Sequence, residues 1–249
     1  MIEVKDLYKA FGGVQAVRGV SFDARDGEVT GIIGPNGAGK TTIFRLIYTV
    51  LRPDRGSTII DGINGQDDRR AALRRLGVLP DNRSLYPRLT AREHVRYFGR
   101  LHGIERRRLE RRIEELVDLL GMEDFIDRPA RGFSRGQQMK VALARTLVHD
   151  PMNIILDEPT NGLDVATSRV VRDMLRRFRE EGRCILLSSH IMQEVWALAD
   201  RIVVVCEGEV AAQGTPAELR RATGLDDVEE IFLASVANRT EPALDWVAA

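Results

Sequence analysis

The chain has 249 residues, 43% hydrophobic and 30% charged, with 37 basic and 37 acidic side chains and a formal net charge of zero. That length suits one large domain or two small ones, and the balanced charge argues against a primary nucleic-acid binder, which normally carries a basic excess. No apolar run approaches the ~20 residues of a membrane helix, and no basic segment followed by an apolar one marks a secretory signal, so a cytosolic protein is expected.

Residues 1–30 alternate like strands, with turns at Phe11-Gly12-Gly13 and Asp26-Gly27. An apolar run from Val29 to Ile33 leads into Gly34-Pro35-Asn36-Gly37-Ala38-Gly39-Lys40-Thr41, followed by a helical pattern with apolar residues at Ile43, Leu46, Ile47, Val50 and Leu51. Pro53 and Gly56 precede a short strand, Thr58 to Ile60, and residues 77–80 read as a buried strand. From about 81 to 150 the pattern is helical: Ile113, Leu116, Val117 and Leu120 share one face, Gly121 ends that helix, and another starts after Ser134. Two further strand-like runs, Asn153–Leu156 and Cys184–Leu187, flank a helix with the stripe Val170, Val171, Met174, Leu175 and Phe178; Ile202 to Cys206 is a last strand. This alternation argues for a parallel sheet with crossover helices, carrying the helical block as an insertion. Beyond Thr215-Pro216 a helical, less hydrophobic tail follows. Cys184 and Cys206 lie in apolar runs without a CxxC pair, as core thiols do. The arginine clusters at 69–70, 74–75 and 106–108 fit either a phosphate-rich partner or a solvated helix face, and Arg111 and Glu115, four residues apart, favour the second.

The glycine-rich turn between strand and helix is a phosphate-binding loop. Its backbone N–H groups converge on one spot, and the helix dipole adds positive potential. Lys40, with Thr42 nearby, reaches toward terminal phosphates, while the Thr41 hydroxyl suits Mg²⁺. The expected ligand is a nucleoside triphosphate. Ile154-Ile155-Leu156-Asp157-Glu158-Pro159 ends a buried strand on two carboxylates. Ligands of open parallel sheets sit at the carboxyl ends of strands, so Asp157 is expected to hold Mg²⁺ near the loop. Glu158 is then placed to take a proton from an attacking water.

Phe133-Ser134-Arg135-Gly136-Gln137-Gln138, between those two motifs, resembles the signature of ATP-binding cassette (ABC) ATPases, LSGGQ, and the resemblance spans roughly residues 1–220. It implies a phosphate-loop NTPase core of parallel sheet, an N-terminal antiparallel β subdomain, an inserted helical subdomain at about 81–150, and a short tail over 221–249. It also implies a head-to-tail homodimer with ATP and Mg²⁺ between copies. Ser134, Gly136 and Gln137 of one copy would then face the γ-phosphate held by Lys40 of the other. Read locally, Ser134 is also a helix N-cap. By the same resemblance Phe11 stacks on adenine, His190 contacts the γ-phosphate, and Asn161-Gly162-Leu163-Asp164 couples the two sites, although Asp164 alone also suits a helix cap. His94, His102 and His149 show no ligand spacing. The departure is Asp81, where most relatives place a glutamine that contacts Mg²⁺ and water; aspartate is expected to keep the metal role.

The resemblance makes the chain the ATP-driving subunit of a transporter. A separate polytopic permease would dock on the loop Asp81–Thr90, with the subunit peripheral on the inner face of the cell membrane. Leu85–Thr90, Leu147–Pro151 and Ser189–Val195 resemble the sodium-exporting branch of two-component ABC exporters. Soluble relatives remain as alternatives. DNA-repair ATPases insert long coiled coils between loop and signature, whereas about 90 residues without sustained heptads separate Lys40 from Ser134 here. Translation factors normally carry two cassettes, and an iron–sulfur assembly ATPase is excluded less firmly.

Overall fold

The computed structural model describes residues 1–81 and 84–237; Asn82, Arg83 and residues 238–249 lie outside the described residues. Strands β1 (Ile2–Phe11) and β2 (Val14–Ala24) form a hairpin, and β3 (Val29–Ile33) leads to α1 (Lys40–Ile47). Next come β4 (Arg55–Ile60), β5 (Ile63–Asn64), α2 (Arg69–Arg74) and β6 (Leu76–Leu79). A helical block follows: α3 (Ala91–Leu101), α4 (Arg106–Leu120) and α5 (Arg135–Leu147). The chain then runs through β7 (Asn153–Asp157), α6 (Val165–Glu180), β8 (Cys184–Ser189) and α7 (Met192–Leu198). It closes with β9 (Arg201–Cys206), β10 (Glu209–Gly214), α8 (Pro216–Thr223) and α9 (Val228–Ala237).

The strands make two sheets. An antiparallel one has the order β2-β1-β4-β5; the other has the order β10-β9-β3-β8-β7-β6 and is parallel except for β10. β3, β7 and β8 are buried along their whole length, as expected of near-continuous apolar strands covered on both faces. Period two divides their side chains. Ile33, Ile154, Leu156, Ile185, Leu187 and Val204 pack against the helical block and α6. Ile32, Ile155, Leu186, Val203 and Val205 pack against α1 and the antiparallel sheet. Each such fully buried Ile or Leu contributes about 1.5–3 kcal/mol of transfer free energy.

The register does the positioning. Leu79 pairs with Leu156, Asp157 with Ser188, and Ile33 with Ser189, so four parallel strands end on one line. The residues just beyond those ends, Gly34, Asp81, Glu158 and His190, therefore emerge at one edge of the sheet.

Several local expectations need correcting. The first helix stops at Ile47 and does not run on to Leu51: Thr49 takes a positive φ of 57°, and Val50 is 60% exposed. On α4 the ion pair is made by Arg112, not Arg111; Arg112 reaches Glu115 at 2.9 Å and Asp150 at 3.0 Å because it faces the α5–β7 connection. Cys184 is buried as expected, and burial pushes its thiol up to about 12; Cys206, at the end of β9, is only half-buried. The expected helical tail beyond Thr215-Pro216 forms α8 and α9 among the described residues. α9 buries Ile231 and Phe232 in the main core, beside α7, β9 and β10.

Candidate active site

The phosphate loop bends through Gly37 (φ 83°) and Gly39 (φ 103°), a region L side chains avoid. Gly39 is the N-cap of α1 and supplies no side-chain cap, so the first N–H groups of the helix stay available to an anion. Lys40 is 7% exposed and folded back, donating to the carbonyls of Gly34 at 2.7 Å and Pro35 at 3.1 Å. Burial lowers its ammonium pKa, and the carboxylates of Glu158 and Asp157 partly offset this.

Around the loop lies a cavity of about 470 Å³. Asn36, Gly37, Gly39, Lys40, Thr41 and Thr42 form its floor, and Asp81, Glu158 and His190 its walls. The strand ends thus bring the sequence-predicted residues together. Ala16 and Asn161 also line the cavity; sequence reasoning left Ala16 without a role and gave Asn161 only a place in the coupling loop.

Asp157 lies beneath, 1% exposed, and accepts hydrogen bonds from Ser188 Oγ at 2.6 Å and from Thr41. Burial raises its pKa, those two hydrogen bonds oppose the rise, and the charges of Asp81 and Glu158 add to it. A hydroxyl, a buried carboxylate and a nearby second carboxylate are hard oxygen donors of the kind Mg²⁺ prefers. Among the described residues no three Asp, Glu, His or Cys side chains converge as a metal cage.

Glu158 sits at a φ of 51°, unusual for a residue with a side chain. Its N–H donates to Ser188 Oγ at 3.1 Å, so Ser188 joins the two consecutive carboxylates; in the sequence it is merely a serine before His190. Glu158 Oε2 lies 2.7 Å from His190 Nδ1, with 13% of the Glu158 side chain exposed against 43% for His190.

The signature residues are elsewhere. Ser134 caps α5: its Oγ accepts from the Gln137 N–H at 3.2 Å, and Gln137 Oε1 accepts from the Ser134 N–H at 3.1 Å. Ser134 is exposed, and neither it, Gly136 nor Gln137 lines the cavity. A Cβ on Gly136 would lie 2.7 Å from Thr167 Oγ1, so close packing of α5 on α6 demands this glycine. Asp164 caps α6, accepting from the Thr167 N–H at 2.8 Å. Phe11 is 47% exposed, 5.7 Å from Lys9 Nζ, and outside the cavity lining.

The model of the ABC transporter family matches residues 17–161. The chain belongs to the ABC transporter family. It is an ATP-binding subunit that hydrolyses ATP, as the cassettes of this family do. It is 42% identical over 241 residues to the ABC transporter ATP-binding protein NatA of Bacillus subtilis (strain 168), covering 95% of this chain and 98% of that one. To the Nod factor export ATP-binding protein I of Ralstonia nicotianae it is 34% identical, over 97% and 78% of the two chains. A bacterial ABC transporter cassette solved as a dimer superposes with a TM-score of 0.79 at 28% identity, covering 86% of this chain and 98% of that one. Among the described residues no helix is long and apolar enough to cross a membrane.

Proposed function

We propose that two copies of the chain close head to tail over two ATP molecules and drive an exporter through a separate polytopic membrane permease, from a peripheral position on the inner face of the membrane. The observation that carries the dimer is the incomplete pocket. The cavity holds the phosphate loop, Asp81, Glu158 and His190, while the capped N-terminus of α5 presents Ser134 outward, away from it. A second copy is the natural source of the missing wall. Ser134 Oγ, which accepts from the Gln137 N–H, keeps its hydrogen for a phosphate oxygen; the Gly136 N–H and the Gln137 side chain lie beside it at the helix start.

Within each half-site Lys40 leaves the Gly34 and Pro35 carbonyls for the terminal phosphates. The backbone from Gly34 through Pro35, Asn36, Gly37, Ala38 and Gly39 cradles the phosphates, with Thr42 behind, and Phe11 stacks on adenine. Thr41 and Asp157 hold Mg²⁺, with Asp81 at its edge. The ion supplies neutralisation of charge on the phosphates when bound. Glu158 takes the proton of the attacking water, and His190, now 2.7 Å from Glu158, contacts the γ-phosphate.

The permease docks on the connection from Asp81 to Thr90, where Tyr86 is 58% exposed; Asn82 and Arg83 of that segment lie outside the described residues. No nucleic-acid partner enters this reading. Export is supported by the relative whose name states it, and sodium as cargo rests on the motif resemblance alone. The test is co-purification: tagged Glu158→Gln protein is captured from membranes solubilised with ATP and Mg²⁺. A stoichiometric polytopic chain supports the reading, and sodium efflux from cells expressing both chains supports the cargo. Capture of soluble partners only overturns the transporter assignment.

A further inference from the structure

We infer that Glu194 is a positioning residue for hydrolysis: through Thr160 it fixes the turn that carries Glu158 against the segment that carries His190. This rests on the roles proposed above for Glu158 and His190.

α7 begins two residues after His190 and is seated directly on β3. A Cβ on Gly31 would lie 2.1 Å from Val195 Cγ1 and 3.3 Å from the Ala199 methyl, so the helix has no slack against the strand that feeds the phosphate loop. Glu194, adjacent to Val195, turns toward the β7 turn. Thr160, 7% exposed and 34 residues away in sequence, donates its Oγ1 hydrogen to Glu194 Oε2 at 2.5 Å.

The turn needs an outside hold. Glu158 occupies the left-handed region at φ 51°, and Pro159 has no N–H to anchor. On the upstream side the Glu158 N–H is held by Ser188 Oγ on β8. Downstream, the Asn161 N–H bonds Glu158 O and the Leu163 N–H bonds Thr160 O, both within the turn itself. The Thr160–Glu194 bond ties the far end of the turn to α7.

Its location distinguishes it from the contact between Glu158 and His190. That contact lies inside the nucleotide pocket, where a phosphate and a water must come between the two groups. Neither Thr160 nor Glu194 lines the pocket. Their bond therefore persists when ATP enters, and keeps base and histidine at a set separation as their direct contact opens. Asn161, which does line the pocket, is held by the same tie through its neighbour Thr160.

The experiment uses the full chain with ATP and Mg²⁺. Thr160→Val keeps the shape and removes the donor; Glu194→Ala removes the acceptor; Glu194→Gln keeps one. Displacing catalytic groups by about 1 Å costs up to ~100-fold in rate, and a loosened turn is expected to cost roughly tenfold in kcat. ATP affinity stays within about twofold, because the phosphate loop is untouched. Glu194→Gln recovers most of the rate, and the double variant Thr160→Val/Glu194→Ala is no slower than the worse single variant. Thermal unfolding identifies folded variants, and the isosteric Thr160→Val carries the test if Glu194→Ala unfolds. Wild-type kcat in Thr160→Val, a loss seen in ATP affinity and not in kcat, or losses that multiply in the double variant each overturn the proposal. Glu158→Gln is the control for the underlying reading. If it still hydrolyses ATP, the base assignment falls and the positioning role falls with it; if it is inactive while Thr160→Val is normal, only the positioning role falls.

Discussion

Gly136 separates two explanations of one signature glycine. Replacing it by alanine puts a methyl 2.7 Å from Thr167 Oγ1 and 3.4 Å from its Cγ2. Thr167 has little freedom to yield: its N–H and Oγ1 both bond Asp164, at 2.8 and 3.0 Å, in the cap of α6. Overpacking of this kind costs about 1–3 kcal/mol, and an alanine in place of glycine returns less than about 1 kcal/mol at a helix start. Gly136→Ala should therefore destabilise by about 1–2 kcal/mol, read as a lower urea midpoint at unchanged slope. Thr167→Ala alone loses a hydrogen bond worth about 0.5–1.5 kcal/mol. In the double variant the nearest remaining Thr167 atom is its Cβ position at 3.5 Å, an ordinary contact, so the second change should add almost nothing. The added methyl meets Thr167 of α6, so in the double variant ATPase activity should recover along with stability. Additive stability losses would refute the packing argument. Recovered stability with ATPase still at least tenfold down would show that the nucleotide side, and not α6, requires the glycine.

Glu158→Gln should abolish steady hydrolysis, by about 10²–10⁴-fold for loss of a general base, while retaining ATP. A dimer that accumulates with ATP in size-exclusion chromatography checks it. Lys40→Ala should lose ATP affinity without unfolding, since the lysine's carbonyl partners lie in its own loop; nucleotide fluorescence titration reads this. Asp81→Gln removes a carboxylate whose charge acts on Asp157 beside the metal position, so hydrolysis should reach half-maximal rate only at higher Mg²⁺; an unchanged Mg²⁺ titration would make Asp81 a bystander. Burial, helped by the charge of His102 whose ring lies 3.7 Å away, holds His149 at about 4 against an ordinary 6.5. The unfolded chain then takes up a proton that the native state refuses, so stability is full above pH 6.5 and falls between 6.5 and 4. The loss is at most about 3 kcal/mol by linkage, and less where solvent reaches the ring. His149→Gln should remove that part of the pH dependence in urea unfolding.

The sheet and its strand-end chemistry were legible because they rest on short-range signals: apolar runs of strand length, a glycine loop ahead of a helix, and carboxylates just past a buried strand. The capping roles of Ser134 and Asp164 were legible for the same reason. The end of α1 was not, since Val50 and Leu51 keep the helical spacing while Thr49 breaks the backbone. Nor were the contacts that organise the site. Ser188 with Asp157, Thr160 with Glu194 and Gly136 with Thr167 each join residues about 30 apart. They depend on which strand neighbours which and how closely two helices approach, and neither is written in local periodicity. Arg112 makes the same point: two arginines one position apart look alike until the α5–β7 connection selects one.

The strand order has a consequence for synthesis. β3, which launches the phosphate loop, is hydrogen-bonded on one side to β8 and on the other to β9, both made more than 150 residues later. At ribosomal speeds that is on the order of ten seconds during which an apolar segment has neither of its neighbours. The antiparallel sheet, by contrast, draws its strands from residues 2–64 and can close early. The nascent chain thus passes through a stage with one finished sheet and one sticky unpaired strand. The pairing of the strand that carries the phosphate loop is therefore completed only by residues 184–206, in the last third of the chain, long after the motif near its start has been made.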